Sequence, residues 1–388
     1  MRKVKIIDSF CHGTMHEQFN ASLLIMFSTI YPNITYYSGR GNRLNILNLV
    51  TDFSNVSFRN IWIIEGGGRF ALAFRYLIST IYNCFFLIVS SPKDLLVFNY
   101  NNAFSLSMVN LINRIFKRKV LIFCHGEMEL LIPSCSETGI LHRLLQGRIT
   151  SFFLNKKNVL CTNLYFFVTG DIILQNLMKV LPIQFHKNFL SLDHGYIFEK
   201  KVLEKKEREK RLVLGWVGVF NLIKGANLFC QLADKLDLLK NDDVCLKIVG
   251  KIFFDRKSLI KKGIQLFSSN GMLSRDEFNK RIENFDFIVF LYPINTYKFT
   301  ASGAIMDAID KRIPILALRN DYFSYIFEKY GEIGYLVDTL DELVGVIYSL
   351  KDDKAYLTAS NFEEIQLLLS PKALSTTLRE KLVEINCI

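Results

Sequence analysis

Short apolar runs alternate with amphipathic stretches along almost the whole chain, and this alternation constrains the fold more than any other feature. In the first half, the runs typical of buried strands are Val4–Ile7, Ile34–Tyr37, Ile61–Ile64, Leu95–Phe98, Val120–Phe123 and Phe166–Val168. Helical patterns such as Ala103–Phe116 fill the spaces between them. Strand, helix and strand in succession predict an α/β fold with a parallel, doubly wound sheet, whose ligands bind at the carboxyl ends of the strands.

The alternation restarts after the charged run 201–211, which cannot be a core element and predicts a linker between two domains. The expected domains are 1–200 and 212–355. Strands of the second domain are predicted at Leu212–Val217, Cys245–Val249, Phe287–Leu291 and Ile313–Leu318, and helices at Asn227–Leu239, Arg275–Ile282 and Ala304–Lys311. Residues 356–388 are predicted to form closing helices that either stay with the second domain or cross back to the first.

Composition supports a large folded protein. The 388 residues suit two domains, and half of them are hydrophobic, which excludes intrinsic disorder as the main state. The eight cysteines include no Cys-x-x-Cys pair, so we expect buried thiols in a reducing cytosol. An apolar strand pattern begins at Val4, so no signal peptide is expected and the predicted location is cytoplasmic, with peripheral attachment at the inner membrane face left open.

Positive charge is concentrated in the first half of the chain. Of the net +11, residues 1–200 carry 20 Lys and Arg against 11 Asp and Glu. This excess predicts an anionic partner such as a membrane surface or a pyrophosphate-linked lipid, and a Lys-, Asn- and Ile-rich composition bias is the alternative. No run of basic and aromatic residues matches a nucleic-acid-binding module, so nucleic acid is not an expected partner.

A membrane span is not expected. The best candidate, Phe70–Val89, is interrupted by Arg75, Ser79 and Asn83. Its periodicity favours a buried crossover helix, and peripheral membrane contact remains open.

The stretch from Tyr297 to Pro314 runs from small residues into an amphipathic helix. Thr300, Ser302 and Gly303 would leave the first helical N–H groups free at the positive end of the dipole, where a phosphate binds well. Asp307, one turn further along, is placed to reach a sugar hydroxyl. The pair of features predicts a nucleotide-sugar site, with an ordinary capped helix as the alternative.

Two more residues of the second half have an anion-binding pattern. Gly218 follows the first strand and permits close ligand approach, and Lys224 precedes the next helix, where its ammonium group can reach a diphosphate. Neither a Walker A loop nor Gly-x-Gly-x-x-Gly spacing occurs here. Backbone groups near Met272 are predicted to contact the edge of a base.

These motifs follow one another in a familiar order: Gly218 to Gly225, Val249-Gly250, Gly271, Asp286 to Pro293, and Ser302-Gly303 to Asp307 and Pro314. Over about residues 212–340 the series resembles the C-terminal domain of GT-B-fold glycosyltransferases of the family 4 type. The resemblance implies two Rossmann-like domains facing a cleft that binds a nucleoside-diphosphate sugar without a metal or other cofactor. It also implies Lys224 on the diphosphate, the Ser302 and Gly303 amides on the distal phosphate, and Asp307 on the ribose hydroxyls.

Two positions depart from the pattern of that family. Val219 stands where an arginine is usual, and Phe299 stands where the first of two acidic residues is usual. Because that acid normally contacts the donor sugar, the donor, the stereochemical outcome and activity itself stay open.

In the first domain, polar residues follow two predicted strands. His12, Gly13, His16 and Glu17 come after the first strand and are predicted to line the acceptor side of the cleft. His12 and His16 are spaced to share a helix face, but a metal site would need more ligands and is not expected.

His125 and Glu127 follow a later strand, where enzymes resembling this chain often place a histidine facing the donor sugar. Either is predicted to act as the general base or to hold the acceptor hydroxyl, and a histidine capping a strand end is the alternative. Asp193-His194, ahead of the linker, is predicted to be a hinge element.

The resulting prediction is a metal-independent glycosyltransferase. It would move a sugar from a UDP- or GDP-linked donor to a saccharide or lipid-linked acceptor in bacterial surface glycan synthesis. Two alternatives have the same fold: a non-catalytic nucleotide-binding or partner subunit, and a sugar-nucleotide epimerase.

Overall fold

The computed structural model describes residues 3–50, 53–132, 139–199, 211–240, 242–267, 273, 275–352 and 360–388. They form two compact units. The first comprises Met1–Ile197, Phe299–Ala301 and Leu368–Ile388, and the second comprises Phe198–Lys298 and Ser302–Leu367. Residues 201–210 of the predicted linker, Met272 of the predicted site, and residues 356–359 of the predicted closing segment lie outside the described residues.

The first unit contains a 7-stranded parallel sheet. Its strands are β1 (Val4–Ile7), β2 (Ile34–Ser38), β3 (Val56–Asn60), β4 (Leu95–Phe98), β5 (Lys119–Phe123), β6 (Leu164–Val168) and β7 (Phe189–Ser191). Their order in the sheet is β3-β2-β1-β4-β5-β6-β7, so the direction of winding reverses between β1 and β4. That reversal is the topological switch point of a doubly wound sheet.

Helices connect these strands: α1 (Glu17–Ile30), α2 (Arg40–Leu49), α3 (Arg69–Val89), α4 (Leu106–Phe116), α5 (Ile140–Phe153) and α6 (Asp171–Val180). The core forms where Val4 and Ile6 of β1 pack with Leu23 and Phe27 of α1. Apolar residues on both faces of the parallel strands account for their unbroken apolar runs in the sequence.

The second unit repeats the plan with a 6-stranded parallel sheet. Its strands are β8 (Leu212–Val217), β9 (Val244–Val249), β10 (Gln265–Phe267), β11 (Phe287–Phe290), β12 (Ile315–Leu318) and β13 (Gly334–Val337). Its helices are α7 (Ala226–Lys235), α8 (Arg256–Lys261), α9 (Arg275–Ile282), α10 (Gly303–Asp310), α11 (Asp321–Tyr330), α12 (Leu340–Asp352) and α13 (Ser360–Leu368). The strand order β10-β9-β8-β11-β12-β13 places the switch point between β8 and β11.

The last helix, α14 (Pro371–Glu384), packs against α1 within the first unit. Leu374, Leu378 and Leu382 lie four residues apart and enter the same core as Leu23 and Phe27. The side chain of Ser370 caps the helix by accepting from the Ala373 N–H, and Pro371 occupies the first turn.

One predicted strand is misplaced. The third strand is β3 at Val56–Asn60, and the apolar run Ile61–Ile64 follows it outside the strand, with the Ile61 N–H donating to the Ser38 carbonyl oxygen. β3 lies at the edge of the sheet, where it pairs with β2 from Ile34↔Val56 to Ser38↔Asn60. An exposed edge strand such as this carries polar residues, so it lacks the apolar signature that the buried strands show.

Gly225 allows a test of the close backbone contact between the start of α7 and Leu291, which follows β11. It has φ 88° just before α7, and a Cβ at this position would lie 2.0 Å from the Leu291 carbonyl oxygen. Gly225→Ala is therefore expected to lower the free energy of unfolding by about 2 kcal/mol or more. Gly345→Ala, in α12 with no atom within 4 Å of its Cβ position, should leave stability unchanged or raise it by up to about 1 kcal/mol. Urea unfolding followed by circular dichroism measures both, and equal midpoints would contradict the expectation.

Candidate functional site

The switch point of the second sheet brings together two loops that are far apart in the sequence. β8 is followed by Gly218 and by the 3-10 helix Leu222–Lys224, and its neighbour β11 is followed by Tyr292. In doubly wound sheets the ligand crevice lies at this point, outside the carboxyl ends of the strands.

The Lys224 side chain lies against two tyrosine rings of the loop after β11. Its Nζ is 5.6 Å from the centroid of the Tyr292 ring and 5.8 Å from that of Tyr297. The two rings stack on each other with their centroids 4.3 Å apart. Among the described residues no carboxylate forms an ion pair with Lys224, so this ammonium group is placed to meet an anionic ligand.

Ser302 links the same tyrosines to the start of α10. It is the N-cap residue, but its Oγ lies 3.2 Å from the Tyr292 hydroxyl and makes no capping bond to a helical N–H. Gly303 begins the helix, is exposed, and has no atom within 4 Å of its Cβ position. We call the group formed by Lys224, Tyr292, Tyr297, Ser302 and Gly303 the Lys224 cradle; it combines an ammonium group with the positive end of a helix.

Gly218 supports this edge of the sheet through its backbone. It has φ 83°, and its N–H donates to the Val249 carbonyl. A Cβ on Gly250, which has φ 144°, would lie 2.0 Å from the Gly218 carbonyl oxygen. The loops after β8 and β9 therefore touch backbone to backbone, and a glycine is required at 250 for that contact.

Asp307 is held by a partner that the sequence did not reveal. One of its carboxylate oxygens lies 2.8 Å from Arg275 Nη2, at the start of α9. At the other end of α10, Lys311 is buried and lies 2.7 Å from Glu199 and 3.2 Å from Asp310. These ion pairs fix the helix whose first residues belong to the cradle.

Thr300 lies two residues before Ser302 in the sequence, and no hydrogen bond links it to Lys224, Tyr292 or Ser302 among the described residues. It belongs to the segment Phe299–Ala301, which groups with the first unit, whereas Ser302 and Gly303 group with the second. In that segment the Phe299 N–H donates to a Glu129 carboxylate oxygen at 2.9 Å, and the Phe299 side chain is buried.

In the first unit, His125 lies next to the switch-point loops. Its Nε2 is 2.8 Å from the Asn99 carbonyl oxygen, at the end of β4. Because a carbonyl oxygen only accepts, Nε2 carries the proton and Nδ1 carries the lone pair. Burial lowers the pKa of His125 well below its usual value, so its imidazole is neutral at pH 7.

Aromatic rings surround His125. The His16 ring stacks on it at a centroid distance of 4.2 Å, and the Phe19 ring meets it edge-on at 4.7 Å. Phe19 also packs against His194 at 5.1 Å, so the predicted hinge residue belongs to this cluster. Burial, together with the nearby His194, lowers the pKa of His16 to about 4.

Glu127 shapes the turn that carries His125. Both of its carboxylate oxygens accept from the His125 backbone N–H, at 2.9 Å and 3.0 Å. Burial raises the pKa of this carboxyl group to about 7. The side chain is therefore turned toward its own loop, and the geometry fits a positioning group for His125.

The remaining predicted residues of the first unit shape the loop between β1 and α1. Gly13 has φ 53° and His16, the N-cap of α1, has φ 55°, while Glu17 begins the helix and is buried. The Asn42 side chain donates to the Gly13 carbonyl and holds the loop. His12 precedes the helix, so it does not share a helix face with His16.

Asp8, which sequence reasoning passed over as a site residue, anchors that loop from inside. It is fully buried and accepts from the Cys11 N–H at 2.9 Å and from Asn20 Nδ2 at 2.7 Å. Burial raises its pKa to about 6. Its position directly after an apolar strand was the signal that could have revealed it.

His12 lines a pocket of about 470 Å³ in the first unit. Arg40, Trp62 and Glu65 also line it, and the Trp62 side chain is 65% exposed. The apolar run Ile61–Ile64, mistaken for a strand, forms one wall. Burial and the Arg75 charge lower the pKa of His12.

Across the described residues, no group of three or more His, Cys, Asp or Glu side chains could hold a metal ion.

Comparison with known proteins identifies the fold. No protein-family model matches this chain, and no curated protein sequence matches it. Solved structures match it over its whole length. TarM of S. aureus has a TM-score of 0.64 at 13% identity, covering 99% of this chain and 98% of its own. HepE of Anabaena, in complex with UDP-glucose, has a TM-score of 0.62 at 11% identity, with coverage of 99% and 100%.

The lipopolysaccharide outer core galactosyltransferase WaaB has a TM-score of 0.60 at 12% identity, with coverage of 98% and 99%. The chain therefore has the GT-B fold of glycosyltransferases, with two Rossmann-like domains, as the sequence resemblance implied. Identities this low show the fold alone.

The buried Glu127 carboxyl group makes stability depend on pH in a defined direction. Its pKa is raised from 4.5 to about 7, so its favourable contribution is complete below pH 4.5 and is lost as pH rises to 7. Glu127→Gln keeps an acceptor for the His125 N–H and removes the titration. Relative to the wild type, the variant should gain on the order of 3 kcal/mol between pH 4.5 and pH 7.

Urea unfolding over that pH range measures the difference. Glu364→Gln, at an exposed carboxylate of α13, is the matched control and should follow the wild type. A Glu127→Gln profile parallel to that of the wild type would contradict the assignment.

Proposed function

We propose that this protein is a glycosyltransferase that moves a sugar from a nucleoside-diphosphate sugar to a saccharide or lipid-linked acceptor. The observation that carries the proposal is the Lys224 cradle at the β8–β11 switch point. Support comes from proteins of the same fold: HepE structures contain UDP and UDP-glucose, and WaaB is a galactosyltransferase.

The cradle is suited to a diphosphate. The Lys224 ammonium group neutralises one phosphate, and the free N–H groups at the start of α10 receive the other. Together they stabilise the departing UDP or GDP without a divalent ion or other cofactor, because charge develops there as the bond to the sugar breaks. Asp307, oriented by Arg275, accepts from the ribose hydroxyls.

The pocket of the first unit is suited to a saccharide acceptor. Its volume of about 470 Å³ is within the range of small-molecule sites. The exposed Trp62 ring offers an apolar face to a sugar ring, while His12, Arg40 and Glu65 supply hydrogen-bonding groups. A TarM structure that contains fondaparinux, alpha-GlcNAc-glycerol and UDP supports a saccharide acceptor for a protein of this fold.

His125 is the proposed catalytic group, because a neutral imidazole can take the proton of the acceptor hydroxyl or orient that hydroxyl. Glu127 positions it through the backbone. We place the reaction on the cytoplasmic side of a bacterial membrane, in surface glycan synthesis. The buried cysteines of the described residues, which are thiols and not disulfides, and the fold shared with WaaB support this placement.

A second candidate function has one specific observation in its favour. Phe299 is buried where related enzymes have an acidic residue on the donor sugar, and Val219 replaces a usual arginine. A non-catalytic, nucleotide-binding subunit of the same fold would tolerate both changes. Turnover distinguishes it from the enzyme.

The donor site is tested by titrating UDP and GDP into the protein by calorimetry, with EDTA present. Lys224→Ala should weaken binding about tenfold or more, which corresponds to about 1.4 kcal/mol. Lys251→Ala, an exposed lysine that follows β9, is the matched control and should bind as the wild type does. Unchanged binding by Lys224→Ala would refute the diphosphate assignment, and binding that requires added Mg²⁺ would refute metal independence.

The catalytic assignment is tested by measuring sugar transfer and donor hydrolysis over a panel of nucleotide-sugars. His125→Gln should lower kcat by roughly 10²–10⁴-fold, because a positioned acid–base group is lost, while UDP affinity stays unchanged. His186→Gln is the control, because the His186 ring lies away from the proposed site and bonds the Leu181 carbonyl oxygen. A wild-type protein that binds UDP but turns over no donor would favour the non-catalytic subunit.

A further inference from the structure

α3 has an apolar outer face and an inner face that mixes buried polar residues with the buried Phe86 and Leu87. Its outward side chains recur every three or four residues along one side, and each is between 48% and 84% exposed: Phe70, Phe74, Leu77, Ile81, Phe85 and Ile88. A surface helix of a globular protein normally has polar residues on its outer face. The helix predicted to be buried is thus only half buried, and its free face is the apolar one.

The inner face of α3 is bonded into the unit through polar groups. Ser79 Oγ lies 2.9 Å from Ser9 Oγ, and the Asn83 side chain accepts from Ser9 and donates to Ser105. Arg75 Nε donates to the Ile64 carbonyl oxygen at 2.8 Å. These bonds fix which side of the helix faces inward, so the apolar side cannot turn into the core.

α4, which packs beside α3, repeats the arrangement. Met108, Leu111 and Ile115 point outward and are 49%, 62% and 73% exposed. Inside, Asn110 and Asn113 are buried, and they bond the Val159 carbonyl and the Arg118 backbone. We call the outward apolar residues of the two helices the α3–α4 face.

The exposed charges on the segment that carries this face are positive. Between Glu65 and Glu127 the sequence has a single carboxylate, Asp94, which is buried and paired with Lys5 at 2.8 Å. Exposed basic residues stand at the helix ends: Arg69, Lys93, Arg114 and Lys117. An apolar centre with a basic rim matches the interface of an anionic bilayer, whereas two copies of the face would bring like charges together.

We propose that the α3–α4 face inserts into the interface of an anionic phospholipid bilayer. α3 is the one described helix long and apolar enough to cross a membrane, but its inner face is bonded to the first unit, so it lies in the plane of the membrane. The basic rim binds the headgroups while the Phe, Leu and Ile side chains enter the acyl boundary. This interaction does not depend on glycosyl transfer.

Co-sedimentation of the full chain with vesicles tests the proposal. Phosphatidylcholine vesicles are compared with vesicles that also contain phosphatidylglycerol, at low and high salt. The wild type should bind the anionic vesicles and lose affinity as salt screens the rim. The triple variant Phe74→Ser, Leu77→Ser, Ile81→Ser should lower the partition coefficient roughly tenfold or more.

The matched control is a second triple variant at exposed apolar residues elsewhere, Ile183→Ser, Leu239→Ser, Leu367→Ser, which should bind as the wild type does. A charge variant, with Arg69, Lys93, Arg114 and Lys117 each changed to Gln, should lose the salt dependence. Circular dichroism and UDP titration show whether each variant remains folded.

Three outcomes would overturn the proposal. The wild type could fail to bind anionic vesicles, or the two triple variants could lose binding equally. Alternatively, sedimentation equilibrium could show self-association that only the Phe74, Leu77 and Ile81 variant loses, with no vesicle binding, which would make a second copy the occupant. Loss of UDP binding with intact vesicle binding would bear only on the proposed enzymatic function.

Discussion

In each sheet the strand order reverses between two neighbouring parallel strands, and the placement of the residues that follow those strands depends on that reversal. Connections leave the two strands toward opposite sides of the sheet, so their carboxyl ends are left with loops that diverge and a crevice between them. In the second unit this brings Lys224, after β8, against Tyr292, after β11. In the first unit it brings the loop after β1 beside Asn99, the partner of His125.

The two crevices have opposite electrostatic character. In the first unit, burial raises the pKa of Asp8 to about 6 and that of Glu127 to about 7, and it lowers the pKa of His16 and His125. At pH 7 both imidazoles are therefore neutral, and the Glu127 carboxyl group is about half protonated. Neutral imidazoles suit hydroxyls and proton transfer. In the second unit a lysine ammonium lies on aromatic faces next to a helix N-terminus, which suits an anion. The proposed glycosyl transfer would use both environments, one for the acceptor hydroxyl and one for the leaving diphosphate.

The sequence predicted the buried parallel strands well because burial on both faces leaves an unbroken apolar run, as in Val4–Ile7, Leu95–Phe98 and Leu212–Val217. The edge strand β3 was not predicted, because its exposed positions carry polar residues that interrupt the apolar run. Lys224, Ser302 and Gly303 were selected from local sequence pattern because each lies in a loop or helix end next to its own strand, and their role in binding stays a prediction. Tyr292, Arg275 and Asn99 were missed because their roles exist only through neighbours distant in the chain.

α3 shows why hydropathy alone misjudges such a segment. In the sequence, Arg75, Ser79 and Asn83 interrupt the apolar run and favour a buried crossover helix. In the structure they are buried and bonded to Ile64 and Ser9, and Phe86 and Leu87 of the same helix are buried as well. Because these bonds and the packing of Phe86 against Tyr37 fix the inner side, the apolar residues of the opposite side stay exposed. The composition of a helix gives its mean hydropathy. Which side of the helix is exposed depends on the contacts that fix its inner side.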